Sequence, residues 1–262
     1  MYFTDRGIEE LSQRRGDEEV TLDWVAERLR EFVDLNPDFE TPGAAGDLAG
    51  PPGRRRVSRS VPAADREIRI CVVGDATVAG VGDPKALGWV GRVAARTPQD
   101  ETSLSIFTLG VPDETTADLG SRWWPESNRR YGASTADCRL VVGLGHGDID
   151  GGLSIPRSRL NLANVLDDAH SRRLPAFVVG PPPTSDSLRN ARIEELAGTF
   201  GDVCRRRDVP YVDTFNPLLT HEDWLTDLAA GDGVHPRQAG YGLIAWLVLH
   251  GGWNEWLGLV QP

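Results

Sequence analysis

Short apolar runs alternate with longer mixed stretches along most of the chain. Five of these runs are rich in β-branched residues and have the length of buried strands: Ile68–Val73, Leu104–Leu109, Arg139–Leu144, Pro175–Gly180 and Val209–Val212. The stretches between and after them predict five helices: Leu87–Arg96, Thr115–Arg130, Arg157–Arg172, Ser187–Arg207 and Pro236–His250.

Apolar strands that alternate with helices predict an α/β protein with a parallel sheet covered on both faces. Crossovers between parallel strands are right-handed, which leaves a three-layer, flavodoxin-like doubly wound sheet of five strands as the simplest arrangement. Residues 67–262 are therefore predicted to form one domain.

Residues 1–40 are predicted to form a small helical module. Thr4 and Thr21 can each cap a helix, and the second, Leu22–Asp34, has apolar residues along one face. Five arginines against twelve acidic residues give this segment a charge of −7 out of the chain's −11. Two short helices cannot be stable alone, so we expect the module to pack on the main domain or on a protein partner. Its acidity argues against a helix-turn-helix DNA reader.

Residues 41–66 are predicted to be a flexible linker, because they are rich in glycine, proline, alanine and arginine and show no apolar periodicity. The run Arg54–Arg56 is interpreted as solvated charge within this linker.

Composition limits the classes of partner and compartment. A net charge of −11 and a pI near 4.9 argue against nucleic acid as the main partner. The N-terminus lacks the apolar core of a signal peptide, and no run is long enough to span a bilayer. Cys71, Cys138 and Cys204 are widely spaced and are interpreted as free thiols. We therefore expect a cytoplasmic protein with no membrane partner.

Two short polar motifs carry the candidate chemistry. Gly74–Thr77 reads GDAT and follows the first predicted strand, where α/β proteins present functional groups. Asp232–Pro236 reads DGVHP and precedes the last predicted helix. At this spacing the Asp232 carboxylate can reach Nδ1 of the His235 ring and leave Nε2 facing a pocket. The pattern predicts a His–Asp dyad.

These motifs resemble blocks of the SGNH/GDSL hydrolase family, whose first block is Gly-Asp-Ser and whose last is Asp-x-x-His. Between them, Gly110 in FTLGVPDETTADL sits where the family has its second-block glycine. Val141–Asp150 (VVGLGHGDID) sits where the family has a strand followed by Gly-x-Asn-Asp, and Gly180–Asp186 fits as well. The resemblance covers about Ile68 to Leu257 and implies the same three-layer fold. Residues 1–40 look like a short, uncharacterised bacterial helical domain, which implies no activity.

The resemblance also implies a site for ester hydrolysis. In the family, the serine attacks an ester carbonyl and the histidine takes its proton, while the aspartate orients the histidine. The oxyanion is held by the serine N–H, the glycine N–H and the asparagine side chain. Carried over to this chain, the role of the serine falls on Ala76, that of the histidine on His235 and that of the aspartate on Asp232. The three oxyanion donors fall on the Ala76 N–H, the Gly110 N–H and residue Gly147. Ala76 has no hydroxyl and Gly147 has no side-chain amide, so a nucleophile and an oxyanion donor are missing.

Residues beside these positions are candidate replacements. Thr77 follows a sharp turn and is expected to point elsewhere, and Asp75 is expected to anchor the turn through backbone hydrogen bonds. His146 is either a substitute oxyanion donor or a histidine bonded locally at the rim, and Asp148 is expected to partner His146 or a backbone turn. No H-x-E, H-E-x-x-H or C-x-x-C pattern is present, so neither a metal site nor a cofactor is predicted.

Three functions fit these observations. The first is an enzyme of esterase ancestry that uses the His235–Asp232 dyad without a covalent intermediate, for elimination, isomerisation, cyclisation or direct water attack on a small carbonyl or ester compound. The second is a catalytically silent SGNH domain that binds a ligand or a partner. The third is an ordinary esterase that carries an engineered Ser-to-Ala change at residue 76.

Overall fold

The protein is described from a computed structural model, which covers residues 66–99, 102–132 and 136–259. The helical module predicted over residues 1–40 lies outside the described residues. So does the predicted linker, except for Arg66, which begins the first strand.

The described residues form one five-stranded sheet in the order β2-β1-β3-β4-β5, and every neighbouring pair is parallel. This confirms the flavodoxin-like prediction. The strands are β1 (Arg66–Gly74), β2 (Thr102–Gly110), β3 (Asp137–Gly143), β4 (Ala176–Val179) and β5 (Tyr211–Val212).

The five predicted helices are present, with ends that differ by a few residues from those predicted. Several single-turn helices were not predicted, because four residues show too little periodicity. The helices are α1 (Ala76–Ala79), α2 (Gly88–Arg96), α3 (Thr116–Tyr131), α4 (Gly147–Asp150), α5 (Ile155–Ser171), α6 (Ser187–Arg205), α7 (Phe215–Leu218), α8 (Glu222–Ala229), α9 (Gln238–Val248), a π-helical turn (Leu249–Trp253) and α10 (Asn254–Leu257).

Helices cover the sheet on both faces, and β1 contributes alternate residues to the two apolar layers. Cys71 and Val73 pack in the layer that includes residues of α3, α5 and α6. Ile68, Ile70 and Val72 pack in the layer that includes residues of α2, α8 and α9. Because successive side chains of a strand point to opposite faces, one apolar strand can supply both layers.

Three glycines align at the carboxyl edge of the sheet. Gly74 is in register with Gly110 on β2 and with Gly143 on β3. Strand β1 lies between β2 and β3, so the strand order changes direction there. Ligands of open α/β sheets bind in the crevice at such a point, and residues 74–77 follow directly.

A buried ion pair holds the loop between α1 and α2. The Asp83 carboxylate lies 2.5 Å from the Arg92 guanidinium, and both side chains are almost completely buried. The same carboxylate accepts hydrogen bonds from the backbone N–H groups of Lys85, Leu87 and Gly88. Burial raises the pKa of the Asp83 carboxyl, but these bonds outweigh burial and the net shift is downward.

We predict that Asp83→Asn costs about 3–5 kcal/mol of the free energy of unfolding, because it leaves the Arg92 charge buried without its partner. A carboxyl whose pKa is lowered by folding stabilises above its unfolded pKa of about 3.9, and that stabilisation is lost as the pH falls through the folded value. The difference between wild type and variant should therefore narrow below about pH 4.

Urea denaturation at several pH values measures this difference. Asp168→Asn is the matched control, since Asp168 pairs with Arg172 at 3.0 Å on the surface, and its loss should cost about 0–1 kcal/mol. Equal costs for the two variants would contradict a structural role for the buried pair.

Candidate active site

Asp75 shapes the turn that follows β1. Its Oδ1 accepts hydrogen bonds from the Thr77 N–H at 3.0 Å and from the Thr77 hydroxyl at 2.9 Å, so Asp75 caps α1. This confirms that Asp75 anchors the turn and that the Thr77 side chain is directed to Asp75. Burial raises the pKa of the Asp75 carboxyl, although the Thr77 bonds and the charge of His235 oppose the increase. Ala76 is the first residue of α1 and is buried.

His235 and Asp232 are in direct contact. Nδ1 of the ring lies 2.7 Å from Asp232 Oδ2, while Oδ1 accepts from the backbone N–H groups of Val234 and His235. Burial raises the pKa of the Asp232 carboxyl, but the bonds from His235 and Val234 outweigh it and lower the pKa to about 2. An ionised Asp232 can only accept, so Nδ1 carries a proton, and whenever the ring is neutral its lone pair is on Nε2.

The dyad lies within electrostatic range of the ends of β1 and β3. The charge of His235 lowers the pKa of Asp75, which follows β1. It also lowers the pKa of His146, which follows β3. His235 is therefore close enough to the GDAT turn and to the loop after β3 to affect the charge of a residue in each.

Gly147 faces a closed space. A Cβ added to Gly147 would lie 1.9 Å from the carbonyl oxygen of Glu114. The loop after β2 therefore occupies the volume that an asparagine side chain at residue 147 would need, and no larger residue fits unless that loop moves.

Asp148 does not partner His146. Its carboxylate accepts from the Thr116 N–H at 2.6 Å and from the Thr116 hydroxyl at 2.9 Å, and so ties α4 to the start of α3. Of the two partners expected for Asp148, the structure has the backbone one.

The His146 ring is bonded locally. Nε2 lies 2.8 Å from the carbonyl oxygen of Pro182, so this nitrogen carries the proton. Burial lowers the pKa of the ring to about 4, so it is neutral near pH 7 and its other nitrogen is an acceptor. With its N–H bonded to Pro182, His146 cannot also donate that proton to an oxyanion, so the geometry matches the local interpretation.

Gly110 is held against α1. A Cβ added there would lie 2.3 Å from the Ala79 nitrogen and 2.8 Å from the Asp75 carbonyl oxygen. Close packing of α1 on β2 thus requires glycine at this position, whatever its N–H group does.

A partly buried ion pair that sequence reasoning missed lies beside these residues. Arg122 Nη2 contacts Glu114 Oε2 at 2.6 Å and donates to the carbonyl oxygen of Leu109 at 2.9 Å. Burial raises the pKa of the Glu114 carboxyl against the lowering effect of Arg122. Glu114 and Arg122 are separated by a loop and two helical turns, and this spacing does not predict an ion pair.

A small cavity of about 10 Å³ lies near Gly147, roughly the space of one water molecule. Its lining includes the buried residues Asp75, Glu114 and Asp148. Across residues 66–99, 102–132 and 136–259, no group of three or more His, Cys, Asp or Glu side chains could hold a metal ion. Within the same ranges, no helix is both long and apolar enough to cross a membrane.

Comparison with protein families identifies the main domain. The model of the GDSL-like lipase/acylhydrolase family matches residues 72–243, more than half of the chain. The chain belongs to the GDSL-like lipase/acylhydrolase family. A second model, of a family of unknown function (DUF6104), matches residues 1–44 of this GDSL-family protein. No curated protein matches the chain.

Solved structures of similar fold include esterases. The lipase/acylhydrolase from Enterococcus faecalis has a TM-score of 0.58 and 24% identity, covering 71% of this chain and 96% of its own. The acetylxylan esterase from Geobacillus stearothermophilus has a TM-score of 0.59 and 16% identity, covering 74% and 97%. A catalytic mutant of that esterase, with alanine in place of serine, has a TM-score of 0.57 and 18% identity, covering 74% and 97%. At these identities the likeness shows a shared fold.

We predict that His146→Gln reduces the loss of stability on acidification. A ring with a pKa of about 4 when folded and about 6.5 when unfolded stabilises fully above pH 6.5, and this contribution is lost as the pH falls toward 4. One proton over this interval is worth about 3 kcal/mol at most.

Thermal melts of both proteins between pH 8 and 4 measure the effect. Glutamine keeps an N–H donor for the Pro182 carbonyl, and Asp75 and His235 are present in both proteins, so the difference isolates the ring. The two curves should run parallel above pH 7 and converge below it. Parallel curves throughout would contradict a neutral, buried His146.

Proposed function

We propose that this GDSL-family protein acts on a small carbonyl or ester compound by general-base chemistry, with His235 as the base and without a covalent intermediate. The observation that carries this proposal is the 2.7 Å contact between His235 Nδ1 and Asp232 Oδ2. It holds the ring in the tautomer whose Nε2 lone pair can accept a proton.

The proposal that no covalent intermediate forms is based on two residues, Ala76 and Thr77. Ala76 offers no hydroxyl where the family has serine, and the catalytic mutant of the acetylxylan esterase carries the same replacement. Thr77, the adjacent hydroxyl, is buried and bonded to Asp75. Neither residue can attack a substrate in this geometry.

The proposed base step moves one proton. His235 Nε2 would take it from water or from a carbon acid next to a carbonyl, and the Asp232 carboxylate would stabilise the resulting imidazolium. The N–H of Ala76, as the first residue of α1, lacks an intrahelical acceptor and would be the donor to developing negative charge. General-base catalysis contributes about 10²–10⁴ in rate, whereas a missing oxyanion donor costs about 10²–10³. Simple esters should therefore react slowly.

One observation favours a second candidate function, that of a catalytically silent binding domain. The Glu114 carbonyl oxygen fills the space beside Gly147, so part of the volume used by the family's asparagine is closed. In this case a ligand would bind at the strand ends without turnover, and His235 would serve structure alone.

We predict that His235→Ala abolishes turnover of the protein's substrate and that Asp232→Asn lowers it about 10⁴-fold by favouring the wrong tautomer, as in serine proteases. Initial rates on a panel of carbonyl and ester compounds measure this. His250→Ala is the control, because His250 is exposed and its ring contacts Trp246. Full activity in the His235→Ala variant would rule out His235 as the base.

We predict that Ala76→Ser alone restores little esterase activity, because residue 147 still lacks a donor amide and the Glu114 carbonyl blocks its replacement. Hydrolysis of p-nitrophenyl acetate and intact mass after a fluorophosphonate probe measure the outcome, with Thr77→Ser in the Ala76 background as the matched control. Rapid hydrolysis by Ala76→Ser would instead support an ordinary esterase inactivated at one residue. An acyl adduct on the wild-type chain would contradict the non-covalent mechanism.

A further inference from the structure

The loop between α1 and α2 packs against the candidate base at Gly82. A Cβ added to Gly82 would lie 2.7 Å from the Pro236 carbonyl oxygen and 3.2 Å from His235 Cβ. Real Cβ atoms essentially never approach closer than 3.0 Å, and Gly82 has a φ of +89°. Only glycine allows this loop to pack directly on the backbone and Cβ of His235.

The loop is anchored on both sides of Gly82. The Tyr241 hydroxyl, buried on α9, donates to the Val81 carbonyl oxygen at 2.7 Å. On the other side, the Asp83 carboxylate binds Arg92 and three backbone N–H groups. Gly82 is therefore fixed in position by Tyr241 on one side and by the buried Asp83–Arg92 ion pair on the other.

The DGVHP turn is also fixed at its two ends. The Gly233 carbonyl oxygen accepts from the Ser185 N–H at 2.9 Å and from the Ser185 hydroxyl at 3.0 Å. Beyond the turn, the Asp227 carboxylate accepts from the Arg237 and Gly240 N–H groups. With both ends fixed, the contact with Gly82 determines how far the His235 Cα–Cβ bond can shift toward α1.

We propose that Gly82 is a positioning residue for His235, which sets the location of the imidazole relative to Asp232 and Ala76. The Asp83–Arg92 ion pair and Tyr241 act on the base through this glycine. The inference rests on the proposed function, because the contact between Gly82 and His235 is inferred to position His235 as a base.

The test is the hydrogen bond of the His235 ring in Gly82→Ala, measured on full-length protein labelled with ¹⁵N. We expect the Cβ to displace His235, so that the Nδ1–H proton resonance shared with Asp232 is lost and the ring ¹⁵N shifts change. Gly252→Ala is the matched control, because Gly252 has a φ of +94° and its added Cβ meets nothing within 4 Å. The control carries the same backbone strain and should leave the His235 signals as in wild type.

Unchanged His235 signals in a folded Gly82→Ala would overturn the proposal. If Gly82→Ala does not fold, Tyr241→Phe decides, since it removes only the hydroxyl that holds Val81. A changed ring signal in Tyr241→Phe supports the proposal, and an unchanged one overturns it.

These outcomes are separate from those of the proposed function. A ring that responds to Gly82→Ala, in a protein that turns over no substrate, supports the positioning contact and contradicts the enzymatic proposal. If the His235 ring signals are unchanged in Gly82→Ala and turnover is abolished by His235→Ala, the enzymatic proposal is supported and the positioning role of Gly82 is contradicted. Where turnover is measurable, a displacement of about 1 Å should lower it about 10²-fold.

Discussion

A single buried carboxylate, that of Asp75, joins the ends of β1 and β3, and the candidate site depends on it. Its Oδ1 closes the turn into α1 through Thr77, and the His146 backbone N–H lowers the pKa of its carboxyl against the effect of burial. Its Oδ2 lies so close to Gly145 that an added Cβ there would be 2.0 Å away. A buried carboxylate is costly unless it is fully hydrogen-bonded, so the surrounding residues are constrained to supply those bonds. Ala76 and the loop of His146 are placed as a consequence.

The two halves of the site differ in how they compare with the family pattern. On the side of the base, Asp232, His235 and their flanking contacts form a connected set of hydrogen bonds. On the side where an oxyanion would lie, Gly147 has no side chain and the Glu114 carbonyl fills the space. This asymmetry is a physical reason to propose proton transfer by His235, and the missing hydroxyl at Ala76 is the reason to propose that no acyl-enzyme forms. It also explains why a change at residue 76 alone should not recover the family's reaction.

The sequence predicted the fold well because the fold depends on strong local signals. Apolar β-branched runs such as Ile68–Val73 identify parallel strands, and their alternation with helices limits the topology. Short helices such as α1 and α4 were missed because one turn has no period to detect. The Asp232–His235 contact follows from a three-residue spacing within one turn, so it was predictable.

Contacts between distant segments were beyond sequence reasoning. Nothing in the sequence indicates that Glu114 packs on Gly147, that His146 bonds to Pro182, or that Gly82 packs beside His235. Each of these depends on how loops from different strands meet at the sheet edge, which a single sequence does not encode in local patterns. Asp148 shows the same limit, since the choice between His146 and Thr116 was settled only by the fold.

The proposed function requires His235 to be a competent base held by Asp232. The most direct measurement is the ¹⁵N spectrum of the His235 ring in the unmodified protein at neutral pH, which reports which nitrogen carries the proton. We expect that the ring, when neutral, is protonated at Nδ1, with this proton shared with Asp232 and with Nε2 unprotonated. A neutral ring protonated at Nε2 would leave no lone pair toward the site and would contradict the proposed function.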